Sequence, residues 1–143
     1  MSPSYSALSP VSAAIFTALN VAALTALAPG GVGDAVAQVT TFPYVLYEVS
    51  ERVMGGLGSK PGTGKRSLEV DLRLHVFSTH IGFSEAQAVM AKCIELLKDP
   101  PAVAGYGSWA IFHDETIPLA GETVAGVRVN ELVANMRLYV SEN

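Results

Sequence analysis

The sequence predicts an α+β fold, a mainly antiparallel sheet of about four strands with two helical units packed on one face. Three observations lead there. Residues 68–77 alternate aliphatic with mostly charged side chains, residues 84–97 carry an apolar stripe at helical spacing, and the elements follow as helix, strand, long loop, strand, helix, strand, strand. Of the 143 residues 50% are hydrophobic, enough for a real core and against whole-chain disorder.

Residues 1–8 (MSPSYSAL) read as a flexible N-terminal arm, and residues 9–143 as a single domain. Ser9 offers an N-cap and Pro10 suits the first helical position. Val11, Ile15, Phe16 and Leu19 then recur at helical spacing. Asn20 ends this helix and caps a second short one carrying Leu24 and Leu27, which Pro29, Gly30 and Gly31 stop. Residues 42–50 (FPYVLYEVS) are aromatic and β-branched, a strand, with Pro43 marking strand entry or an edge.

Residues 54–67 (MGGLGSKPGTGKRS) hold five glycines and only Leu57 as a large core former, which predicts a long flexible loop. In the next strand Leu68, Val70, Leu72, Leu74 and Val76 alternate with Glu69, Asp71, Arg73, His75 and Phe77, the pattern of a sheet covered on one side only. Ser84 and Gln87 form a capping-box pair, with Glu85 at the positive end of the helix dipole. The helix runs to about Leu97 on a stripe of Ala86, Val89, Met90, Cys93, Ile94 and Leu97, and Asp99, Pro100 and Pro101 end it. Two strands follow, near residues 107–113 and 127–140. The second places Leu132, Ala134, Met136, Leu138 and Val140 on one side and Asn135, Arg137 and Tyr139 on the other.

Composition narrows function. The net charge of −4 argues against a free-standing nucleic-acid binder. Charged residues make up only 15%, against roughly 25% in typical soluble domains, so partners are expected to bury part of the surface. The single cysteine, Cys93, excludes an intrachain disulfide, and its place on the apolar stripe reads as a packed, unreactive thiol. The apolar stretch 11–28 is broken by Ser12, Thr17, Asn20 and Thr25, and the first basic residue is Arg52. It reads as a buried helical segment, not a signal peptide or a membrane span.

No catalytic signature emerges. Residues 59–66 (SKPGTGKR) approach a P-loop, but Ser59 stands where its first glycine belongs and Arg66 replaces its hydroxyl residue. His75, His80 and His113 share no metal-ligand spacing and read as surface or satisfied histidines. His113, Asp114 and Glu115 read as a solvated turn, and Ser108 lacks the flanking glycine of a nucleophile elbow. Neither a cofactor nor enzymatic activity is expected. Lys60, Lys65 and Arg66 hold three of the nine positive charges. On one monomer they solubilise a loop; multiplied around a ring they become a loop facing a partner or a channel.

The element order and several strings resemble the tail-completion (tail-terminator) family of long-tailed bacteriophages and related gene-transfer particles. The strings are ALTALAPGG, FPYVLYEV, LEVDLRLHVFS, THIGFSEAQ, AVMAKCIELL and ANMRLYV, with VFS-x-x-x-G-x-x-EA (residues 76–86) the most telling. The match spans roughly residues 11–141. The loop at 54–67 departs from the family in being glycine-rich rather than polar and acidic, so no loop contact is carried over. The resemblance implies a structural virion protein, made in the bacterial cytoplasm and located at the head-proximal end of the tail. It implies a ring, commonly a hexamer, that ends tube polymerisation and joins the tail to the head-side connector or stopper. Its partners would be its own copies, the tube protein and the connector, with non-specific proximity to DNA in the channel and no membrane. Two other readings remain, a head-side connector or stopper protein and a small cytoplasmic ligand-binding α+β domain. The last would show a concave polar pocket with a perturbed titratable group.

Overall fold

The structure, a computed structural model, describes residues 7–34, 41–53, 66–124 and 126–143. Alanine-rich sequence without β-branched runs favours helix at its start. Helix α1 (Leu8–Leu19) buries Val11, Ala14, Ile15 and Leu19 along one stripe. It starts one residue before the expected Ser9 cap: Ala7 is the N-cap, with no side-chain cap bond. The Val11 N–H closes the first turn on the Ala7 carbonyl, and the Ala7 N–H donates to Glu51 Oε2 at 2.8 Å. Residues 7 and 8 therefore belong to the anchored helix start and not to an arm; residues 1–6 lie outside the described residues.

Asn20 ends α1 as expected, its N–H bonded to the Phe16 carbonyl. It does not cap α2 (Ala22–Thr25), which starts from extended Val21 without a side-chain cap. After α2, Gly30 donates its N–H to the Pro43 carbonyl at 3.0 Å. A Cβ at Gly30 would stand 2.2 Å from the Thr41 carbonyl oxygen and 2.7 Å from Tyr44 Cβ, so the two chain segments can meet only at a glycine. That approach aligns the two-residue strand β1 (Val32–Gly33) parallel to β2 (Tyr44–Val53).

Strand β3 (Ser67–Ser78) follows the predicted alternation, with Leu68, Val70, Leu72, Leu74 and Val76 all buried. Helix α3 (Ser84–Leu96) buries Ala86, Val89, Met90 and Cys93. Its expected capping box does not form. Ser84 is the first helical residue, the Gln87 N–H bonds the Phe83 carbonyl, and no side chain caps the end. Glu85 instead accepts a hydrogen bond from the buried Ser78 hydroxyl at 2.8 Å, which ties the helix start to β3.

Strand β4 (Tyr106–Val124) runs well past the expected end at residue 113, and β5 (Val127–Glu142) matches its expected start. The sheet has five strands in the order β1-β2-β3-β5-β4, antiparallel except for β1 with β2. The α+β class with one-sided helices holds, while β1 brings the strand count to five and the N-terminal helical unit divides into α1 and α2. The core lies between the helices and the even-numbered residues of β3 and β5, including Leu72, Leu74, Leu132, Met136 and Leu138. Each such side chain contributes about 1.5–3 kcal/mol by leaving water.

Candidate interaction surface

Helices α1 and α3 pack on β2, β3 and β5, and among the described residues no helix packs on the opposite face of the sheet. Register sets what that face displays, because residues paired across strands point the same way. Glu48 pairs with Arg73, Ser50 with Asp71 and Arg52 with Glu69; Arg73, Asp71 and Glu69 pair in turn with Asn135, Arg137 and Tyr139. Among the described side chains that face carries Glu48, Glu69, Asp71, Asp114, Glu115 and Glu131 against Arg52, Arg73 and Arg137. An open groove of about 430 Å³ crosses it, with Glu48, Asp71, Arg73, Glu115 and Arg137 along its walls.

Arg137 organises one end. Its Nε and Nη2 donate to the two carboxylate oxygens of Asp114, each at 2.9 Å, a fork that matches carboxylate geometry. Its Nη1 donates to the Tyr139 hydroxyl at 2.8 Å, and that hydroxyl donates to Glu69 Oε1 at 2.8 Å. The Arg137 hydrogen bond holds the Asp114 carboxyl below its ordinary range. The hydrogen bond to Glu69, followed by burial, pushes the Tyr139 phenol up. The guanidinium lies 5.6 Å from the Phe112 ring centroid and 5.9 Å from that of Tyr139, and the Trp109 ring lies 5.0 Å from Tyr139. The Trp109 indole N–H donates to the Ser141 hydroxyl at 3.2 Å. Tryptophan, tyrosine and arginine held together by packing are the residue types that dominate protein interfaces.

His75 sits at the middle of the face between two carboxylates, with Nδ1 2.6 Å from Glu131 and Nε2 2.8 Å from Glu48. It is mostly buried; Nδ1 is hydrogen-bonded to Glu131, whereas Nε2 faces Glu48 without making a hydrogen bond, so the satisfied histidine read from the sequence is satisfied on one ring nitrogen only. His80 lies in the turn before α3. The expected turn at His113, Asp114 and Glu115 is a correction: all three lie inside β4, where a bulge between His113 and Glu115 turns Asp114 toward Arg137. His113 pairs its Nε2 with the Thr116 hydroxyl at 2.7 Å.

Of the three loop cations, Lys60 and Lys65 lie outside the described residues. Arg66 stands at the start of β3, where its backbone N–H and Nε both reach Glu142 Oε1, at 2.6 and 3.2 Å. The Arg66 N–H is the main cause that holds the Glu142 carboxyl below its ordinary range. Burial pushes the Cys93 thiol up to about 12, as its place on the stripe implied. Among the described residues no cluster of three or more His, Cys, Asp or Glu could hold a metal ion, and no helix is long and apolar enough to cross a membrane.

The border strand β4 continues past residue 113, where the sequence reading ends it. Residues 112–119 are exposed on both faces, and the border displays Trp109, Phe112, Ile117 and Leu119. The two-residue spacing of Ile117 and Leu119 was the one available signal that the strand continued.

The sequence profile described as "Tail completion protein gp17" matches residues 13–133. Among 25 matching chains of solved structures is one from the virion of a native gene transfer agent particle, 21% identical, with a TM-score of 0.76 over 96% of this chain and 99% of that one. No curated protein matches this sequence.

Proposed function

Because the chain belongs to the tail completion protein gp17 family, structural components of bacteriophage tails, we propose that it forms a ring at the head-proximal end of the tail tube, where it ends tube growth and joins the tail to the head-side connector. The observation that carries this reading is the border strand β4, bare on both faces from residue 112 to 119 with large apolar side chains among them. A monomer would hold those groups in water; a ring of identical copies, six by resemblance to the family, covers them. The low charge content supports the same reading.

The mechanism is geometric. One ring surface reproduces the docking surface of a tube ring and seats on the last one, while the opposite surface lacks it, so no further tube ring adds. That opposite surface is left for the connector. The solved relative belongs to a virion particle, which supports assembly among tail and head proteins. Electron microscopy of particles made without this protein tests the role. Overlong or unattached tails are expected, and normal tails on filled heads reject it. Purified protein should bind isolated tails; binding to filled heads alone would assign it to the connector instead.

A further inference from the structure

We propose that the groove on the sheet face opposite the helices docks an extended polypeptide segment of another protein, one that carries two cationic side chains four residues apart. The groove lies over two rows of cross-strand neighbours. Ser50, Asp71 and Arg137 form the first, and its charges are answered within the chain: Asp71 pairs with Arg52 at 3.2 Å and Arg137 with Asp114 at 2.9 Å. The second row runs Glu48, Arg73, Asn135 and Glu115 from β2 to β4, and its charges are not answered.

Arg73 is exposed and donates from Nε to Asn135 Oδ1 at 3.3 Å. Glu115 is exposed and accepts from Asn135 Nδ2 at 3.0 Å. Among the described residues neither of the two belongs to an ion pair. The Glu48 side chain is 55% exposed, and its Oε1 lies 2.8 Å from His75 Nε2 without a hydrogen bond. The row therefore reads negative, positive, negative. A polypeptide supplies the complement, with cationic side chains for the two ends and carbonyl oxygens for the guanidinium between them. The excess of carboxylates over guanidiniums on this face turns away the phosphates of a nucleic acid.

The spacing fixes the form of the segment. In the strand order β2-β3-β5-β4, Glu48 and Glu115 stand three strand spacings apart, about 14 Å at ~4.8 Å per spacing. Four steps of an extended chain at about 3.4 Å each cover that distance and return both side chains to the same side. A groove of about 430 Å³ over that length has a cross-section of roughly 30 Å². That is room for one extended chain and too little for a helix about 10 Å across. The segment crosses the strands and adds to no sheet edge. The groove walls include neither Ile117 nor Leu119, so the proposal stands whether or not copies of the chain cover that apolar border.

The probe is a capped, fluorescein-labelled peptide, RTVTR, titrated against the purified full chain and read by anisotropy at about 50 mM salt, where surface charge is weakly screened. Saturable binding with Kd below about 1 mM is expected. The shorter RTR, the acidic ETVTE and spermidine should each bind at least about five-fold more weakly. Glu48→Gln and Glu115→Gln should each weaken RTVTR about two- to five-fold, the worth of one exposed charge pair. Glu95→Gln and Asp99→Asn, on and after α3, should leave it unchanged, with circular dichroism showing that every variant is folded. A benzophenone in place of the central valine should cross-link to residues 48–50, 71–73 or 135–137. No saturable binding, equal losses in the α3 variants, cross-links elsewhere, or equal binding of spermidine or a DNA duplex overturns the docking. Binding seen only after dilution to a monomer places a second copy in the groove and overturns it as well. Each such result leaves the tail role standing, because that role is read from particles made without the protein.

Discussion

Leu74→Ala and Leu119→Ala remove the same three carbons from opposite surroundings. Leu74 is fully buried on β3, paired with Tyr47 on one side and Ala134 on the other. At about 0.8 kcal/mol for each carbon group returned to water, the transfer loss is roughly 2.4 kcal/mol. Both neighbouring strands are pinned by their ladders, and Ala134 is too small to fill the gap, so a cavity adds to the loss. The expected total is about 3–4 kcal/mol, a large share of the ~5–15 kcal/mol that holds a domain of this size together. Leu119 is 41% exposed and has no helix above it, so its truncation should cost less than about 1 kcal/mol. Urea unfolding followed by circular dichroism reads both as midpoint shifts at unchanged slope. The melting temperature should fall by roughly 10 °C for the first variant and hardly move for the second. Equal losses, or a loss below about 1 kcal/mol at Leu74, would refute the one-sided core.

Asn130→Ala should destabilise by about 1–3 kcal/mol in the same assay, because this buried amide donates to the carbonyls of His80 and Gly82, each at 2.9 Å, and its loss leaves both unpaired. Cys93 should resist a thiol reagent such as Ellman's at pH 8 in the folded protein and react fully in urea; prompt labelling of the native state would show that its burial is wrong. Glu142 binds its proton less readily folded than unfolded, so its stabilisation is complete above its ordinary value of 4.5 and is lost as pH falls through the lower folded value. Glu142→Gln should therefore be less stable than the parent at pH 7, with the gap closing toward pH 3; a gap independent of pH contradicts the Arg66 contact.

Legibility followed the range of the forces involved. The alternation of β3 and the stripe of α3 are local and were read to within a residue or two, as was the packed Cys93. Strand β1 has two residues and owes its pairing to the Gly30 approach, so no periodicity announced it. The triplet at residues 113–115 has turn composition, but ladder bonds to β5 and the pairing of Asp114 with Arg137 override it. The helix starts were misassigned because Ser9 and Ser84 have the right chemistry one or two positions too late, while backbone carbonyls and a cross-link to β3 satisfy the turns. The surface is the least legible part. Arg137 with Glu69 and His75 with Glu131 are 68 and 56 residues apart and meet only through register. Ile117 and Leu119 lie beyond the triplet whose turn composition ends the predicted strand at residue 113.

The position of β5 between β3 and β4 bears on the order of events at the ribosome. Until residues 127–142 emerge, β4 has no hydrogen-bonding neighbour within its own chain, and the aliphatic side of β3 is covered on one flank only. A nascent polypeptide of this design cannot complete its sheet until that strand threads into the centre. Half-made chains therefore keep unpaired strand edges exposed until the last residues are synthesised.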